Sequence, residues 1–149
     1  MVSESAIDAA SKYFSGDYNC AQAVFRAFLE HKDAYIEGGT QIASGFGGGI
    51  THSGQQCGAL SGAIMAIGRM VGFETPNVKK HKSETYRISA ELLSRFSEKH
   101  GTIICDELTG VNMSDKEVLK KAIDSGHFQE ICPGFVKDTV SILMDLFPE

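Results

Sequence analysis

The feature that most constrains this chain is an apolar run from Cys57 to Val71, built largely from small residues. Gly58, Gly62 and Ala66 recur every four positions, and so do Ala59 and Ala63, which precede Ile67. At helical periodicity these residues form faces with almost no side chain, so a second helix can approach until the backbones nearly touch. Arg69 and the glycines interrupt the run, and it falls short of the ~20 apolar residues of a membrane span. The expectation is therefore a central, buried helix in a protein that does not insert into a membrane.

Helix signals surround this segment. Asn19 with Gln22, Ser53 with Gln56, and Ser114 with Glu117 each read as a capping box. Helices are predicted from Ser5 to Ser15, from Asn19 through the stripe of Val24, Phe25, Phe28 and Leu29, and from Tyr35 to Ser44. The central helix should then begin near Gly54 and end at Gly72. Thr75-Pro76 should open the longest helix, which carries Ile88, Leu92, Leu93 and Phe96 and closes at Gly101. A short helix or turn from Thr102 to Leu108 and a helix from Ser114 to Asp124 follow. The last helix is predicted to open at Cys132-Pro133, with Val136, Val140, Leu143, Leu146 and Phe147 inward. Clean strand alternation and Asn-Gly or Asp-Gly hairpin signals are lacking. The fold expected is all-α, a single-domain bundle (residues 1–149) of about six to seven helices.

Four cysteines, Cys20, Cys57, Cys105 and Cys132, all fall at or near predicted helix starts. Free N–H groups and the positive end of the helix dipole favour an anion there, which lowers a thiol pKa. The thiolate is also the form that attacks disulfides and binds metals. The cysteines are 37, 48 and 27 positions apart, with no Cys-x-x-Cys pair. Zinc-finger and ferredoxin spacings are therefore excluded, and any shared site has to be assembled by the fold. The competing reading makes each cysteine a small apolar filler.

The Phe46-Gly47-Gly48-Gly49 segment lacks the Gly-Lys-Ser/Thr ending and preceding strand of a phosphate loop. It is read instead as a tight turn that brings Cys57 beside another helix start. His52 and His127 lie five residues before Cys57 and Cys132; exposed loop positions are the simpler reading of both, proton donation or mixed ligation the sharper one. Asp106 and Glu107 are read as structural first-turn acids that would raise the pKa of Cys105.

The net charge of −5 argues against nucleic acid or an anionic membrane as partner. Lys79, Lys80 and Lys82 read as a solvated helix face. No basic-then-apolar leader opens the sequence, so a cytoplasmic location is expected, where thiols stay reduced.

Cys57-Gly58-Ala59-Leu60-Ser61-Gly62 fits a Cys-Gly-Ala-x-x-Gly pattern, with one cysteine upstream and two downstream. Together with the glycine segment from Ser44 to Gly49 and the chain length, this resembles a family of proteins described as redox-active and named for four cysteines and a GCAxxG-type motif. The resemblance implies redox chemistry, an association with transporter loci, and no substrate. Three expectations follow for Cys20, Cys57, Cys105 and Cys132. They ligate an iron–sulfur or other thiophilic metal centre for electron transfer, with an iron–sulfur cluster or zinc as the bound group, or they act as a dithiol/disulfide oxidoreductase, or the chain is a non-catalytic partner or metal carrier of a transport system. A redox partner or transporter component is the partner expected, and a homo-oligomer is compatible with the sequence.

Overall fold

The structure is a computed structural model that describes residues 4–149. Met1 to Ser3, the start of the stretch read for a leader, lie outside the described residues. The chain forms α1 (Ala6–Ser15), α2 (Cys20–His31), α3 (Gly39–Ile42) with a 3-10 turn (Ala43–Phe46), α4 (Gly58–Glu74), α5 (Val78–His100), α6 (Cys105–Thr109), α7 (Lys116–Asp124) and α8 (His127–Leu146). The all-α expectation holds. Short elements such as the four-residue α3 bring the helices to slightly more than the six or seven expected. No helix among the described residues is long and apolar enough to cross a membrane.

Several starts and stops match the sequence reading. Ser5 caps α1, and Asn19 with Gln22 forms the full capping box of α2. Gly101 ends α5 in the left-handed region, at φ 81°. Other starts are displaced. Pro76 stands outside α5, because the Asn77 side chain accepts from Lys80 N–H and takes the cap itself. Asp115, not Ser114, caps α7. Ser53 does not cap α4; its hydroxyl donates to the Gly49 and Ile50 carbonyls, and α4 begins only at Gly58. α8 begins at His127, so Pro133 lies inside it. An interior proline costs a helix about 3 kcal/mol. Phe128 and Cys132, on the turns before it, pack against buried clusters, and His127 Nε2 bonds to the Thr109 carbonyl, which anchors the early start.

α4 is the central helix predicted. Gly58, Ala59, Leu60, Gly62, Ala63, Ala66 and Ile67 are buried on it. The main core adds Val24, Phe28 and Leu29 from α2, Leu92 and Phe96 from α5, and Val136, Val140 and Leu143 from α8, all fully buried. Each such side chain stabilises the fold by about 1.5–3 kcal/mol relative to exposure. A smaller cluster of Cys105, Val111, Met113 and Ala122 packs α6 against α7 and α8. Lys79, Lys80 and Lys82 are exposed, as a solvated face requires.

The α2–α4 crossing has no room for a side chain. A Cβ on Gly62 would lie 2.3 Å from the Ala21 carbonyl oxygen, whereas one on Gly68 of the same helix would meet only Thr85 Cγ2 at 4.0 Å. Gly62→Ala should therefore lower stability by about 1–3 kcal/mol through forced separation of the helices. Gly68→Ala should raise it by about 0.4–1 kcal/mol through helix propensity and unfolded-state entropy. Urea midpoints of the two variants test this; equal shifts would contradict the crossing described.

Candidate functional site

Each cysteine reaches the same place from a different element. Cys20 is the first residue of α2, and Cys57 is the N-cap of α4. Cys105 opens α6. Cys132 lies in the second turn of α8, not at its start, so the expected proximity to a helix N-terminus fails for this one residue. All four line one cavity of about 190 Å³. That exceeds the ~150 Å³ void that admits a benzene-sized ligand. Phe14, Leu108, Met113, Phe128 and Phe135 supply much of its apolar wall. All four cysteines are free thiols.

Two local devices bring the sulfurs together. The first is a short antiparallel clamp between residues 54–57 and 103–106. Cys57 N–H donates to the Ile103 carbonyl at 2.8 Å, Cys105 N–H to Gln55 at 2.5 Å, and Asp106 N–H to Gly54 at 3.1 Å. Gln56 and Ile104 form the bridge between them. The clamp fixes Cys57 beside Cys105 and explains why Ser53 and Gln56 do not open a helix. Instead, Gln56 Nε2 donates to Ser61 Oγ.

The second device is the glycine turn. Gly48 and Gly49 have φ of 65° and 68°, and Ile50, Thr51 and His52 continue at 70°, 52° and 54°. Left-handed backbone costs roughly 1–2 kcal/mol per non-glycine residue. Thr51 N–H and Oγ1 both donate to the Gly45 carbonyl and help to hold the turn. Its glycines sit where nothing larger fits: a Cβ on Gly49 would be 2.7 Å from Cys105 Cβ, and one on Gly47 would be 2.6 Å from Asn19 Nδ2. In α4, a Cβ on Gly58 would be 2.4 Å from Cys20 Sγ. The glycine segment makes the tight turn expected of it, and the start of α4, which carries Cys57, lies against Cys20 at the start of α2.

The electrostatic expectation is overturned. Burial raises all four thiol pKa values, and a neighbouring thiolate raises three of them further. Cys105 is pushed up to about 12 by burial, then by Cys20 and Asp106. Cys132 is pushed up to about 12 by burial, then by Cys20 and Cys105. Cys57 rises by burial and then through Cys20, against the pull of the Ala59 and Leu60 amides. Cys20 also rises by burial, although amide N–H groups of Gly48, Ala21, Ala59 and Cys20 itself draw it down. Helix starts do aim amides at sulfur, but loss of water outweighs them. Cys20 lies close enough to each of the other three for their charges to repel.

Among the described residues, no group of three or more His, Cys, Asp or Glu side chains is placed to hold a metal ion. His52 lines the cavity while remaining exposed, and its ring lies over Gly48, where a Cβ would be 2.1 Å from its Cδ2. His127 does not line it. Asp106 accepts from Met113 N–H, and Glu107 from the Thr102 hydroxyl, as structural acids do. Sequence reasoning missed Phe128 and Gln129 as lining residues, because it began the last helix after them.

The sequence from residue 18 to residue 146 matches the model of the family described as "Putative redox-active protein (C_GCAxxG_C_C)". The chain belongs to this family. The match takes in all four cysteines, the glycine turn and the cavity wall except Phe14. No curated protein and no solved structure matches the chain.

The raised thiol pKa values have a measurable consequence. The folded, metal-free protein should hold its thiol protons to higher pH than the unfolded chain, whose thiols titrate near ~8.5. The stability from neutral buried thiols is present below that pH and is lost as pH climbs through about 12. At pH 8, iodoacetamide should alkylate the folded, reduced protein at least about tenfold more slowly than the urea-unfolded chain, since each pKa unit removes tenfold of the thiolate. Equal rates would contradict the burial argument.

Proposed function

We propose that Cys20, Cys57, Cys105 and Cys132 together ligate one polynuclear thiophilic metal centre, an iron–sulfur cluster, and that the protein carries electrons. The observation that carries this reading is that four cysteines from four separate elements line one cavity. A lone tetrahedral zinc, with Zn–S near ~2.3 Å, needs its sulfurs within about 4 Å of one another. Four sulfurs set around a cavity suit a larger centre, whose ligands lie at its corners.

The thiol pKa values support the same reading. A coordinating metal deprotonates a thiol outright, so a buried, neutral thiol is no obstacle to ligation. Attack on a disulfide needs a free thiolate, which this site disfavours near neutral pH, so the dithiol oxidoreductase reading draws less support. When bound, such a centre exchanges single electrons at a potential tuned by hydrogen bonds to its sulfurs and by burial. The chain supplies both. Amides of Gly48, Ala21 and Ala59 point at Cys20, where they offset the charge of converging thiolates. Phe14, Phe128 and Phe135 give the sulfurs apolar neighbours, and the His52 imidazole lines the same cavity.

Protein produced with iron and purified without oxygen should be brown, with a broad visible absorption and iron and acid-labile sulfide in equal amounts. Cys57→Ser should lose most of both. Colourless protein lacking iron and sulfide, or protein that binds zinc alone, would overturn the proposal.

A further inference from the structure

A second, polar pocket of about 260 Å³, open to solvent, lies between α2 and the 35–41 segment, lined by Tyr18, Gln22, Arg26, Tyr35, Glu37 and Thr40 among others. Tyr18 also lines the cysteine cavity, so the two spaces share a wall. Arg26 is the cation of the polar cavity. Its guanidinium sits among three tyrosine rings, 5.1 Å from Tyr13, 5.6 Å from Tyr18 and 5.3 Å from Tyr35. Such a cage fixes the plane of the group and removes part of its water.

The hydrogen bonding of this arginine is incomplete. Nη1 donates to the Tyr18 hydroxyl at 2.8 Å. Nε is buried without a hydrogen bond, though it forms an ion pair with Glu30 Oε2 at 3.4 Å. Glu30 is itself held by the Tyr13 hydroxyl. A guanidinium offers five donors, so most of this fork is unused by the described residues. The other polar groups nearby are occupied. Gln22 accepts from Asn19 N–H and donates to the Thr40 carbonyl, and Tyr35 bonds to the Thr40 hydroxyl. Glu37 stands on the cavity wall, exposed, and pairs with no cation among the described residues.

The geometry points to this cavity as a binding site for a small α-amino carboxylate. The carboxylate takes the free edge of the Arg26 fork, which matches two coplanar oxygens. The ammonium faces Glu37. Glu30 already shares the Arg26 charge and Glu37 adds a second anion, so the site disfavours a dianion such as phosphate, and the volume suits a molecule the size of a free amino acid. The site stands independently of the metal centre proposed above, since it uses none of its ligands.

Calorimetric titration of the full-length protein with each of the twenty L-amino acids, the matched amines, the matched carboxylic acids lacking the amine, and inorganic phosphate tests it. At least one amino acid should bind, with its amine and its acid each about tenfold weaker or worse and no binding of phosphate. Arg26→Gln should weaken binding at least about tenfold, and the surface change Glu37→Gln should weaken it severalfold. If Arg26→Gln does not fold, Arg26→Lys keeps the charge but loses the fork and should still weaken binding severalfold. Binding by none of the amino acids, equal binding of an acid lacking the amine or of phosphate, or binding indifferent to the Arg26 and Glu37 variants would overturn the proposal.

Discussion

Where α2 and α4 meet, one backbone rests on the other with no side chain between, and the positions of the sulfurs depend on that contact. Gly62 lets the Ala21 carbonyl approach, and one turn earlier Gly58 lets Cys20 Sγ approach the start of α4. The same contact carries Cys20 and Cys57 to one side of the core. The glycine turn and the 54–57/103–106 clamp then add Cys105, and α8 adds Cys132 to the same cavity wall. Few other residue types could stand at these positions, because each would need volume where backbone or sulfur already lies.

The site shows two opposed electrostatic effects of similar origin. Folding directs amide donors from helix starts and from the left-handed turn toward Cys20 and Cys57, which favours anions. Folding also removes water from all four sulfurs, which disfavours anions. Desolvation wins at every one of them. Such a site is poor at keeping bare thiolates and well suited to thiolates whose charge a bound cation neutralises. The left-handed path through Ile50, Thr51 and His52 is local strain at the wall of this cavity, a place where strain tends to be kept for function.

Much of the architecture was legible in the sequence because local signals and packing agreed. The Asn19–Gln22 box, the Gly101 stop and the small faces of the central helix all appear as read. The convergence of four distant cysteines was legible only as a pattern of helix starts, and that pattern held for Cys20, Cys57 and Cys105. It failed at Cys132, because tertiary contacts of Phe128 and His127 extend α8 backward through Pro133 and override the local signal of the proline. The start of α4 failed for a related reason. Gln55 pairs with Cys105, fifty places farther along the chain, and no local pattern announces such a partner. The direction of the thiol pKa shifts was misread because burial is a property of the assembled fold, invisible at a single helix terminus.

The claim on which the rest turns is that the four sulfurs surround one common space. Anomalous sulfur diffraction from crystals grown without oxygen locates them directly. The account predicts four cysteine sulfurs ringing a single volume, with Cys20 adjoining Gly58. Sulfurs paired as disulfides at separate sites, or Cys132 turned away from the other three, would contradict it.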